Sequence, residues 1–255
     1  MTLTQLLDAV GLLGACNDLY PDVPIERWDP YRTTYPELFA GDMWRLPVAC
    51  TVIHGHGRTV LVDAGVGPAG RWTWEAEQEG LMPRALPDGI DTVFFTHLHV
   101  DHVGWLADPA LFPEARVAVH PDALAYALEH SPVEWLAGRL RALLDEGRVD
   151  TVAAGDELLP DVRVVSYPGH YPGHAGLDIG GRALLIGDAA PHPALLDQCG
   201  WHFRFDHDAP LASTTRAAVV AEVADTDTLV VCGHYPGGVG HVVRHDGRIV
   251  WRETA

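Results

Sequence analysis

Three histidines and an aspartate fall within six residues at His97-Leu98-His99-Val100-Asp101-His102, directly after the apolar run 92–96. In extended backbone, side chains two residues apart point the same way, so His97 and His99 share one direction. Asp101 and His102 follow in a turn and offer an oxygen and a nitrogen to a second centre. Imidazole and carboxylate together form the ligand set of zinc, iron or manganese. A solvated loop is a poor alternative, because the preceding segment is strongly apolar and Gly104-Trp105 follows. Histidine is also abundant, with 15 residues against 17 lysines and arginines. It is the side chain most used to bind metals and the one that titrates near neutrality.

Donors of this kind need rigid strands behind them. Residues 48–53 (VACTVI) read as a buried strand, the turn His54–Arg58 follows, and residues 59–65 (TVLVDAG) complete a hairpin. Residues 92–96 and 116–120 are continuous apolar runs of the kind found in central strands. Pro121 at a first helical position starts a helix over 121–130. A second helix over 133–146 aligns Val133, Leu136, Leu140, Leu143 and Leu144 on one stripe. A short helix is expected around Trp74–Gly80. From 162 the β pattern resumes in VRVVSY, AGLDI and RALLIGD, before a helix over 213–224 and a strand over 228–232. A closing hairpin turns at Asp246–Gly247, a type I′ signal. This alternation predicts an α/β architecture with two sheets in one domain, residues 1–255. Neither GxGxxG after the first strand nor GxxxxGK[ST] occurs, so nucleotide binding has no support.

Composition narrows the partners. The formal net charge of −18 disfavours both a phosphate backbone and an anionic membrane surface. No segment approaches the roughly 20 apolar residues of a membrane helix. The start of the chain lacks the basic residues and small-residue cleavage pattern of a signal peptide. Cys16, Cys50, Cys199 and Cys232 are scattered without a CxxC pair and read as reduced thiols. A cytoplasmic protein with a small-molecule substrate, and with no nucleic-acid or membrane partner, is the expectation.

The HxHxDH spacing after an apolar strand resembles the metallo-β-lactamase superfamily. That family places a third ligand in a Gly-His turn, which Tyr167-Pro168-Gly169-His170-Tyr171-Pro172-Gly173-His174 matches. It places a bridging aspartate after an apolar strand, matched by Leu184-Leu185-Ile186-Gly187-Asp188, and a last histidine after a late strand, matched by Val230-Val231-Cys232-Gly233-His234. The resemblance implies a four-layer αβ/βα sandwich of two mixed β-sheets with helices on the outer faces. It implies that His97, His99 and His170 hold one metal, that Asp101, His102 and His234 hold another, and that Asp188 bridges them. Two divalent ions, Zn2+ first and Mn2+, Fe2+ or Co2+ as alternatives, would supply hydroxide at neutral pH to attack a lactone or related ester carbonyl. Asp101 is then placed to shuttle a proton to the leaving group. Phosphotriester, aryl ester or β-lactam hydrolysis on the same site is the alternative, as is a mononuclear iron dioxygenase acting on a thiol-derived substrate.

The second half resembles the branch of N-acyl-homoserine lactonases and methyl parathion hydrolase-like enzymes. Members of that branch are often homodimers. The lactonases carry a tyrosine shortly after the bridging aspartate; here Ala189, Ala190 and Pro191 stand there, followed by His192. His192 is therefore a candidate for substrate contact or catalysis. His174 reads as a residue supporting the site, and His54, His56, His120, His202, His207, His241 and His245 read as structural or solvated. Trp105 and Tyr171 border the ligand turns and can line a pocket or simply pack. The segments 15–45, 66–90 and 190–212 are expected to form the pocket walls.

Overall fold

A computed structural model describes residues 1–70, 74–131 and 133–254. Residues 71–73 of the expected wall segment 66–90 lie outside the described residues. One sheet contains β1 (Thr2–Ala15), β2 (Phe39–Ala40), β3 (Met43–Gly55), β4 (Arg58–Val62), β5 (Glu75–Gln78), β6 (Thr92–Phe95), β7 (Arg116–Val119) and β8 (Val149–Thr151). Its order is β5-β1-β3-β4-β6-β7-β8, with β2 on β3. The other contains β9 (Glu157–Leu159), β10 (Val162–Ser166), β11 (Ala175–Ile179), β12 (Ala183–Leu185), β13 (Leu229–Val231), β14 (Val239–His245) and β15 (Arg248–Glu253), in the order β15-β14-β13-β12-β11-β10-β9. Both are mixed: β4, β6, β7 and β8 run parallel in the first, and β12 and β13 in the second.

The continuous apolar runs follow from burial on both faces of each sheet. Alternate residues of β6 and β7 divide between two cores: Phe94 and Ala118 face the second sheet's Val162, Val164, Leu177, Leu185 and Val231. Val93, Phe95, Val117 and Val119 face outward. There they meet Leu124 of the helix Pro121–His130 and Leu136, Leu140 and Leu143 of the helix Glu134–Asp145. In the second sheet, Leu185 and Val231 point inward while Leu184 and Val230 join an outer core with Val219, Val220 and Val223 of the helix Ala209–Val223. Helix, sheet, sheet and helix are thus the four layers.

Two hairpins turn on left-handed residue pairs, His56-Gly57 (φ 54° and 71°) and Asp246-Gly247 (φ 50° and 75°). Such pairs match the twist of adjacent strands. The expected helix at Trp74–Gly80 is instead the edge strand β5, paired with β1. Pairing with a neighbouring strand overrides the local helical preference there. The helix expected over 213–224 begins earlier, at Ala209, because Asp208 caps it through Leu211 N–H at 3.0 Å and Pro210 sits in its first turn.

Candidate metal centre

Ligand-binding crevices in sheets of this kind open beyond the carboxyl ends of parallel strands. Here four such ends converge. β4 runs into Asp63, β6 into His97, β12 into Asp188 and β13 into His234. The connection from β10 to β11 adds His170, and the short helix Val100–Val103 carries Asp101 and His102.

The donors form interlocking groups: His97, His99 and His170; His97, His102 and Asp188; and Asp101, His102 and His234. In each, the donor atoms lie within 4.8 Å of one another. Asp188 joins them with one oxygen to each side. Its Oδ2 lies 3.5 Å from His170 Nε2, while Oδ1 lies 3.4 Å from His102 Nε2 and 3.2 Å from His234 Nε2. Asp101 Oδ2 stands 3.6 Å from His234 Nε2.

The hydrogen-bond network assigns the tautomers. His102 Nδ1 donates to Asp63 Oδ2 at 2.8 Å, His170 Nδ1 to Asp206 Oδ1 at 3.1 Å, and His234 Nδ1 to the Pro47 carbonyl at 2.8 Å. Thr96 Oγ1 gives its proton to Asp63 and so accepts from His97 Nδ1 at 3.0 Å. In its neutral form, each of these four rings therefore turns an unprotonated Nε2 inward. His99 Nδ1 sits 3.0 Å from His97 Nε2 and 3.1 Å from His170 Nε2, and His234 Nε2 sits 3.3 Å from His102 Nε2. Among neutral rings, lone pairs gathered this closely repel unless a proton or a metal cation lies among them. The buried Asp188 Oδ1, which makes no hydrogen bond, supports the same conclusion. The residues fit divalent metal.

Burial pushes His97 well below the ordinary imidazole range and His99 down to about 3, keeping both neutral. Burial also opposes charge on His102 and His234, but the carboxylates around them outweigh it and raise both. Asp188 is held well below its usual range: burial raises it, and His234 and His102 more than compensate.

Above this cluster opens a cavity of about 500 Å³. His99, Asp101, His170, Asp188 and His234 contribute to its lining, with walls of Leu13, Trp44, Leu46, Val66, Trp74, Pro191, Phe203 and Phe205. Each expected wall segment contributes, and no lysine or arginine takes part among the described residues.

Some expectations meet a different structure. His192 is fully buried and is not among the cavity-lining residues. Its ring is enclosed by Trp28, Phe39 and Trp44 at 5.1–5.4 Å, its Nδ1 accepts from Ala194 N–H, and burial lowers it to about 3. The aromatic enclosure thus holds it neutral and off the cavity lining. Trp105 and Tyr171 pack in the core beneath the helices. His174 supports the site, accepting from Asp188 N–H at 2.9 Å while donating to the Tyr167 carbonyl. Asp63 and Asp206 were not among the sequence candidates. The signal for Asp63 was a carboxylate ending an apolar strand, the same pattern that marks Asp188.

A model of the metallo-β-lactamase superfamily matches residues 43–234, three quarters of the chain. The chain belongs to this superfamily. Within the superfamily, an N-acyl homoserine lactonase, AiiB, of Rhizobium rhizogenes (strain K84 / ATCC BAA-868) is 28% identical over 164 residues. That alignment covers 52% of this chain and 58% of the relative, so the chain spans little more than half the length of the curated relatives it matches. Among solved superfamily structures, the hydrolase AbOPH superposes with a TM-score of 0.82 at 23% identity, covering 99% of this chain and 94% of that one. The dizinc quorum-quenching lactonase AidC gives 0.81 at 18% identity, with the same coverage.

Proposed function

We propose that this chain, acting as a single domain over residues 1–255, is a metal-dependent hydrolase that opens a lactone or cleaves a related ester. The observation that carries this reading is Asp188, one oxygen turned to each histidine group, at an apolar cavity. His97, His99 and His170 would hold one ion, Asp101, His102 and His234 the other, and Asp188 would bridge. Two bound divalent ions, zinc in the first instance, supply hydroxide at neutral pH and polarise a carbonyl oxygen.

The remaining roles fall to the chain itself. Asp101, whose side chain is 24% exposed, carries a proton to the departing alkoxide. No tyrosine lines the cavity among the described residues, which leaves Asp101 as the proton carrier. Among the described residues the cavity walls carry no cation, which favours a neutral substrate with apolar substituents over one carrying an anionic group away from the metal centre. The similarity to AiiB supports a lactone as the ester. Four free cysteines suit the reducing cytoplasm, where such a substrate is met as a small molecule.

The experiment is metal content per chain on protein purified without added metal, paired with turnover of a panel of lactones, aryl esters and phosphotriesters. About two zinc ions with lactone turnover is the expected result. One iron per chain with oxygen uptake, or full metallation without turnover of any of them, overturns it.

A further inference from the structure

Arg216 lies in the middle of the helix Ala209–Val223, yet its side chain is fully buried. A buried guanidinium is retained only where its donors are used. Its Nη2 donates to Asp206 Oδ2 at 2.5 Å, its Nε to the Ala189 carbonyl at 3.0 Å, and its Nη1 to the Trp201 carbonyl at 2.9 Å. Two of these partners lead to the metal cluster by separate routes. With Oδ2 taken by Arg216, Asp206 presents Oδ1 to His170 Nδ1, which leaves His170 Nε2 free to face inward. Ala189 directly follows Asp188, so the second hydrogen bond fixes the turn that aims the shared carboxylate.

The same helix grips the His170 turn elsewhere. Thr215 Oγ1 donates to the Pro168 carbonyl at 2.6 Å, and Asp208 N–H donates to the Gly169 carbonyl at 2.8 Å. Gly169 has φ 121°, and a Cβ there would lie 2.2 Å from Ala212 N. The turn is thus seated directly on the helix, and Arg216 extends that seat to the opposite side of the cluster. Lysine could not replace it: a point charge cannot span three acceptors in the plane of one fork.

We propose that Arg216 is a positioning residue of the metal centre, coupling His170 through Asp206 to Asp188 through the Ala189 carbonyl. This rests on the metal-centre reading above and adds that the helix behind the site, through one side chain, sets how tightly metal is held. Competition against a chelator, titrating zinc into metal-free parent, Arg216→Met, Arg216→Lys and Asp206→Asn, tests it, with folding followed by circular dichroism.

Arg216→Met and Asp206→Asn are each expected to weaken at least one zinc step by about 10–100-fold, the range for removing such supporting partners. Arg216→Lys should recover only part of that loss. The double variant should lose no more than Arg216→Met alone, since Asp206 acts along one of its routes. In long-range proton–nitrogen NMR spectra of the zinc form, Asp206→Asn should alter the His170 ring signals and leave those of His234 in place. Zinc affinities within twofold of the parent in both variants overturn the proposal, even if stability falls, because Arg216 would then be structural only. Should Arg216→Met fail to fold, Asp206→Asn decides by the same criterion. If the parent itself binds no zinc, the metal-centre reading fails instead, and the two failures are distinct.

Discussion

Asp63 and His102 meet at 2.8 Å across the ends of two adjacent parallel strands, β4 and β6. The aspartate reaches that position with a left-handed backbone, φ 59°, which Asp tolerates better than most residues. The same carboxylate accepts Thr96 N–H at 2.8 Å and the Thr96 hydroxyl at 2.9 Å, and that hydroxyl orients His97. One carboxylate thereby sets the inward nitrogen of a histidine in each donor group.

Asp63→Ala is therefore expected to weaken zinc binding by roughly 10–100-fold while leaving the sheet intact. Chelator competition combined with circular dichroism checks both halves of the statement. Asp63→Asn should fall between, since an amide oxygen can still accept two of the three donors.

Asp101→Asn separates catalysis from metal storage. The amide keeps the shape and an oxygen for the cluster but cannot take the proton-carrying role proposed for the carboxylate. Turnover of a lactone is expected to drop by about 10²-fold or more, with a smaller change in zinc content. Unchanged turnover at full metal occupancy would remove Asp101 from the chemistry.

Much of the cluster was legible in the sequence because its donors sit at strand ends, where an apolar run stops at a polar residue. His97, Asp188 and His234 all follow that rule. Asp206 was illegible for the opposite reason: it lies in a segment without period, and its meaning depends on His170, 36 residues earlier, and on a buried Arg216, 10 residues later. β1 was missed because TLTQLLDAVGLLGA mixes both periodicities and its partner β3 lies about forty residues on. His192 sits deeper than its sequence position suggests. Four residues past Asp188 suggests the mouth of a site, but the chain turns inward at Pro191 and buries the ring among aromatics.

Asp8, fully buried in β1, accepts from Val66 N–H at 2.8 Å, Met82 N–H at 3.0 Å and Trp105 Nε1 at 2.8 Å. Asp8→Ala strands these donors without water and should cost about 3 kcal/mol or more. Urea unfolding measures this. Because Val66 belongs to the cavity wall, a raised KM for a lactone substrate should accompany it in whatever protein remains folded.

Asp197 gives the stability a pH dependence. Burial raises its carboxyl, but donors from Tyr31 Oη at 2.6 Å, Ile249 N–H at 2.8 Å, Gln198 and Arg248 outweigh this and hold it below the ordinary carboxylate range. A lowered folded-state value means the contribution is complete above the unfolded-state value, near pH 4, and is lost as pH falls through the folded-state one. Melting temperature against pH should therefore decline more gently on the acid side in Asp197→Asn than in the parent. Identical slopes would show that other carboxylates govern acid unfolding.

The drawing of donors from strand ends in both sheets has a consequence for how the protein is made. Synthesis runs from the amino end, and His102 emerges 132 residues before His234. Asp63 and the His97–His102 segment belong to a sheet whose strands and outer helices are all made by residue 151. Asp188 and His234 arrive only with the strands of the later sheet. His97, His99 and His102 are thus made well before Asp188, the carboxylate that joins the donor groups. The complete donor set proposed above therefore exists only once strands of both sheets are in place.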